Sequence, residues 1–231
     1  MHHPDADAPF FNDIPPLVVI LAGLIGVIEL AFQLGEAGLI GGREAVGWRV
    51  ELVNRFGFYN AAAQAMYGLQ QFLPDQVMRF VTYPFFHRGW QDALFSAVFI
   101  LALGKFVGDR THWGNLLATF VVSSAVTALV ASFVFGPQYL LLGAWAPVCG
   151  WIGALTWLLW LQGRADGQIP VQAFALVAGL GVIQLIFYVL FGAAGLFEWA
   201  VGFASGIAVF AVLQPTQTQG VTYWLDRVRD R

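Results

Sequence analysis

Few residues in this chain have types and spacings that could do chemistry. Glu29 and Asp92 are acids inside apolar runs, where charge is costly and usually functional. Asp92 sits five residues after His87, and Ser96 follows one helical turn later. The single cysteine, Cys149, lies four residues after Trp145, so the two share a helix face. Ser205 lies between Gly202 and Gly206, a G-x-x-x-G spacing that lets two helices approach closely. A nucleophilic hydroxyl or thiol needs a base within hydrogen-bond reach. The four histidines are His2, His3, His87 and His112, so no imidazole lies beyond residue 112. One cysteine allows neither an intrachain disulfide nor a cysteine metal cluster. Neither H-E-x-x-H nor a phosphate loop occurs, and no metal or cofactor is expected.

Composition fixes the solvent in which these residues work. Hydrophobic residues make up 58% of the 231 and charged ones 11%, with a mean hydropathy of +0.69. Soluble domains carry about 25% charged residues, so this chain is expected to be solvated mostly by lipid. The same numbers exclude disorder. A net charge of −3 without a long basic run argues against nucleic acid as a partner.

Six apolar runs predict membrane helices near 17–34, 92–107, 116–135, 140–161, 172–191 and 197–213. Residues 1–16 form a polar tail without Lys or Arg, so the first run reads as a retained helix and not a signal peptide. Residues 214–231 form a basic C-terminal tail, and 17–213 is the membrane domain. The connection 35–86 is long. Within it, Val46, Val50, Val53, Phe56, Ala61, Ala65, Leu69 and Phe72 recur near helical period, which suits a segment lying in the headgroup plane; a loop packed on the bundle is the alternative. Lys105, Arg110, Arg164, Arg227, Arg229 and Arg231 fall on one side of a six-helix arrangement, and the short loops of the other side have no Lys or Arg. That places both termini in the cytoplasm.

The stretch Met78–Gly104 resembles the entry to the second helix of rhomboid intramembrane serine proteases. Arg79, Thr82, His87, Gly89, Trp90, Leu94, Phe95 and Gly104 stand where that family's pattern places them. The resemblance implies an all-α membrane fold, a six-helix rhomboid-like bundle with a long, partly helical interfacial first loop. It also implies structural roles for Arg79, His87, Trp90, Gly202 and Gly206, and a bacterial inner-membrane location.

Rhomboids cut peptide bonds with a Ser–His dyad, the Ser in a G-x-S-G stretch and the His on the last helix. Aligned on Gly143 and Gly150, this chain has Trp145 at the nucleophile position and Ala146 at the following Gly. Aligned on Gly202 and Gly206, it has Trp199 at the base position. Asp92 and Ser96 replace the His and Asn that serve the family's oxyanion. An indole N–H donates but cannot accept a proton. The reading is therefore a rhomboid-like pseudoprotease that binds a transmembrane segment of a partner protein. An accessory subunit of a larger energy-transducing complex is one alternative. A hydrolase with relocated residues (Ser96, Ser205 or Cys149, with Asp92 or Glu198 as base) is another.

In that fold a substrate helix approaches beside the second and fifth helices. The candidate docking surface is Asp92, Ala97, Ile100, Leu101, Gln184, Phe187 and Phe191. The remaining features have plainer readings. Cys149 reads as a small packing residue. Asp92 is either buried or near the water interface. Glu29 is expected to be buried, facing Gln33, an Arg or a partner. Gly202 and Gly206 are expected to pack on the fourth helix more than on a second copy. The cluster Trp145, Trp151, Trp157 and Trp160 reads as packing and anchoring, and no histidine is available in the last three helices to ligate haem or chlorophyll.

Overall fold

The computed structural model describes residues 14–165, scattered positions between 175 and 189, and 194–213. The chain is mostly helical. Among the described residues, four helices are long and apolar enough to cross a membrane: α1 (Pro16–Glu36), α6 (Trp90–Gly108), α7 (Trp113–Val134) and Gly195–Leu213 of α9 (Ala194–Leu213). At about 1.5 Å per residue, the 21 residues of α1 reach about 31 Å, the thickness of a hydrocarbon core. Between α7 and α9 lies α8 (Trp145–Ala165), also 21 residues long. The expected helix over 172–191 falls largely outside the described residues.

The spans show both faces of a membrane helix. On α1, Val18, Leu21, Ile25 and Phe32 are buried, while Val19, Ile20, Val27 and Leu30 face outward. Gly104 of α6 receives Val18 at a distance that leaves no space for a Cβ. α8 differs, because Ala146 through Thr156 are buried on every side. A helix enclosed all round is the core of its bundle. Its Trp151 is fully buried and donates its indole N–H to the Leu116 carbonyl at 3.0 Å, so its one polar atom is satisfied.

Close approach of α8 and α9 comes from glycine. A Cβ on Gly202 would collide with the Ala146 carbonyl, one on Gly206 with the Gly150 carbonyl, and one on Gly153 with the Phe203 carbonyl. The G-x-x-x-G face is thus used inside the protomer, against the neighbouring helix.

The connection from α1 to α6 is a chain of short elements: α2 (Trp48–Phe56), strand β1 (Phe58–Tyr59), α3 (Asn60–Leu69), α4 (Pro74–Val77) and α5 (Arg79–Thr82). The helical period expected over 46–73 does not produce one helix. It breaks at Gly57, where β1 pairs antiparallel with β2 (Leu140–Leu141), with Phe58 opposite Leu141 and Tyr59 opposite Leu140. The same ladder corrects the expected start of the fourth helix: 140–141 are strand, and α8 begins at Trp145. α7 starts earlier than expected, because His112 caps it by accepting the Gly114 N–H at Nδ1, 3.1 Å. At its other end Asn60 Nδ2 donates to the carbonyls of Ala131 (2.8 Å) and Phe135 (3.0 Å), capping the last turn.

Candidate functional site at the entrance to the central helix

The turn between β2 and α8 positions the site. Gly143 has φ +86°, a left-handed conformation that glycine takes without strain. Its N–H donates to the carbonyls of Phe86 (2.9 Å) and Tyr83 (3.3 Å), tying this turn to the segment that leads into α6. A Cβ at Gly143 would lie 3.4 Å from His87 Cδ2, 3.6 Å from His87 Nε2 and 3.6 Å from Asp92 Oδ2. Two segments far apart in sequence therefore converge at the start of α8.

Asp92 is half-buried in the first turn of α6, and its Oδ2 accepts the Arg88 backbone N–H at 3.4 Å. His87 is buried, and its Nε2 has no hydrogen-bond partner among the described residues. Burial pushes its pKa below the usual histidine value, against the opposing pull of Asp92 and Glu29.

Trp145 opens α8 and packs edge-on against Phe99 of α6 at 5.6 Å and 74°. Trp199 stacks on Phe203 of its own helix at 5.8 Å and lies against Gly181. Neither indole Nε1 has a partner among the described residues. Ser205 Oγ donates to the Gly202 carbonyl at 2.7 Å, a local helix bond. Cys149 is fully buried below Trp145. Ser96 is buried within α6.

Glu198 is 7% exposed, and Tyr139 donates its hydroxyl to Oε1 at 3.5 Å. Tyr139 is stacked on Phe135 at 4.0 Å. Burial, then the Glu198 charge, raises the Tyr139 phenol above its ordinary range. Tyr83, fully buried, donates to the Ser124 carbonyl at 3.2 Å and is raised in the same way, first by burial. No group of three or more His, Cys, Asp or Glu suited to a metal ion occurs among the described residues.

The remaining residues read from sequence fall as follows. Arg79 Nη1 donates to the Gly57 carbonyl at 3.1 Å, and Thr82 Oγ1 to the Phe56 carbonyl at 2.8 Å, stapling α5 to the α2–β1 turn. Trp90 is 51% exposed at the start of α6, on the surface and outside the core. Ile100 is fully buried in the main core, which removes it from any docking surface, and Ala97 and Leu101 are half-buried against that core. The outward face of α6 is instead Leu94, Phe95, Val98 and Phe106. Gln184, Phe187 and Phe191 lie outside the described residues.

Glu29 is buried and accepts from Gln33 Nε2 at 2.9 Å and from Arg49 of α2. Arg49 also reaches Glu36 (Nε to Oε1, 2.7 Å) and the His87 carbonyl (3.2 Å), and its guanidinium lies 4.8 Å from the Phe32 ring centroid. The hydrogen bond to Glu29 raises the Arg49 pKa still further, ahead of the opposing effect of burial. The sequence offered Glu29 as an acid seeking a partner. It gave no sign that Arg49 was that partner, because the two are twenty positions apart on different elements.

The helical bundle, the Gly143 turn and the His87–Trp90 stretch meet in a single family. A rhomboid domain family model matches residues 74–216, more than half of the chain. The chain belongs to the rhomboid family, as an integral membrane protein with apolar spanning helices. No curated protein matches it.

Proposed function

We propose that this chain is a catalytically inactive rhomboid that binds a transmembrane segment of a partner protein. The observation that carries the reading is the occupancy of the entrance to α8. An indole, Trp145, stands at the nucleophile position, a second indole, Trp199, at the base position, and the Asp92 carboxylate lies beside Gly143. Acyl transfer needs an activated nucleophile and donors aimed at a developing negative charge. Indoles supply no nucleophile and no base, and a carboxylate at the α8 entrance opposes a second negative charge there.

The relocated-hydrolase reading has little to draw on. Ser205 spends its proton on a helix carbonyl, and Cys149 is sealed among packed helices. The partner segment would approach on the outward face of α6, at Leu94, Phe95 and Val98. Both termini would lie in the cytoplasm of a bacterial inner membrane.

Two measurements test this. Purified protein exposed to a fluorophosphonate probe stays unlabelled; labelling that Ser96→Ala or Ser205→Ala removes would sink the inactive assignment. A photocrosslinking amino acid at position 95 or 98 traps a specific membrane protein in cells, whereas one at position 20, on the outward face of α1, does not. Equal crosslinking from both faces would refute the docking surface while leaving the inactive assignment standing.

A further inference from the structure

Charged groups on α1, α2 and α6 and the glycine turn before α8 surround the turn at 86–89, which carries His87. Its ring feels the charges of Asp92 on α6, Glu29 on α1 and Arg49 on α2. The β2–α8 turn adds the uncharged Gly143, whose Cβ position is 3.6 Å from Nε2. The His87 carbonyl accepts from Arg49 Nη1 at 3.2 Å. One residue thus holds the Arg49 clamp with its backbone and borders the entrance to α8 with its side chain. One ring nitrogen donates to the Phe85 carbonyl, and buried Nε2 has no partner among the described residues.

Burial with an unpartnered Nε2 suits the neutral ring. A bare Nε2 acceptor tolerates the nearby Asp92 carboxylate without bonding it. A proton on Nε2 converts the acceptor to a donor that needs a carboxylate, and puts a positive charge in front of the Arg49 guanidinium. The ring is then drawn toward Asp92, and its own backbone is pushed from Arg49.

We propose that His87 is an acid-triggered latch: neutral, it holds the 86–89 turn between the Arg49 clamp and the entrance to α8, and protonated, it releases both. The latch is independent of whether the chain cuts peptide bonds. Burial works in its favour, keeping the ring neutral at pH 7.

Hydrogen exchange of the purified full chain in detergent, between pH 8 and pH 5 and corrected for the intrinsic rate, tests it. Peptides over 83–90 and 140–146 exchange faster as pH falls, by up to about tenfold per pH unit for a single proton. Peptides from the middle of α7 do not change. His87→Gln abolishes the rise. Asp92→Asn, which removes a charge that favours protonation, moves the rise to lower pH and serves as the second test should His87→Gln fail to fold. A flat profile in the natural protein, a rise that survives His87→Gln, an unmoved midpoint in Asp92→Asn, or a loosening shared by α7 would each overturn the latch.

Discussion

Arg49 grips Glu29 with two prongs, Nη2 to Oε1 at 2.7 Å and Nη1 to Oε2 at 2.9 Å, and so ties the connection α2 to the first membrane helix. Both side chains are largely buried, at 13% and 9% exposure. Breaking such a pair from one side strands a charge and costs about 3–5 kcal/mol, whereas replacing both partners by apolar residues is close to neutral. Arg49→Leu should therefore lower the unfolding temperature in detergent strongly. Glu29→Leu combined with Arg49→Leu should recover most of the loss. Arg49→Lys should recover less than half, because an ammonium cannot reproduce the fork.

Gly206 sits directly against the Gly150 carbonyl, so even one methyl group forces α8 and α9 apart. Overpacking of this kind costs about 1–3 kcal/mol. Gly206→Ala should destabilise by that amount in a detergent unfolding titration. Gly26→Ala makes a matched control, since nothing lies within 4 Å of its Cβ position. There alanine should be neutral or stabilising by up to about 1 kcal/mol.

What the sequence made legible and what it hid follow from the solvent. Lipid demands long apolar runs, so the helices at 16–36, 90–108, 113–134 and 194–213 stood out, with errors of a few residues at their ends. The same lipid erases the inside–outside contrast. Ile100 and Phe95 are both apolar, one fully buried and one 64% exposed, and no period in α6 separates them. The His87–Trp90 stretch carried the family because its residues are contiguous. The Arg49–Glu29 pair, the Asn60 cap on α7 and the two-residue β1–β2 ladder join distant segments; Glu29 stood out as a buried acid, but Arg49, Asn60 and the ladder residues each look like any loop polar residue or short apolar pair.

Two phenols, Tyr83 buried and Tyr139 half-buried, give the protein an alkaline limit. Tyr83 and Tyr139 have pKa values above the ordinary 10.0, both mainly through burial. A raised folded pKa means the folded state keeps a proton that the unfolded state gives up. Stability is therefore complete below about pH 10 and falls as pH rises above it. Melting temperature should be flat from pH 8 to about pH 9.5 and then decline. Tyr139→Phe should make the decline shallower, and a Tyr83→Phe, Tyr139→Phe double variant shallower still.

The last prediction concerns what restoring the dyad would require. Under the proposed assignment, Trp145→Ser, Ala146→Gly and Trp199→His together would rebuild the family's nucleophile stretch and base. They leave the Asp92 carboxylate beside Gly143, close to both the start of α8 and the buried His87. A tetrahedral intermediate there would place its oxyanion next to a resident anion. Loss of one oxyanion donor alone costs about 10²–10³ in rate, and a carboxylate is worse than a missing donor because it repels. The triple variant should therefore remain unlabelled by fluorophosphonate and inactive on a model transmembrane substrate. Adding Asp92→His and Ser96→Asn should produce the first measurable labelling. If the triple variant alone reacted, the carboxylate would not be the barrier described, and the entrance to α8 would owe its silence to the two indoles only.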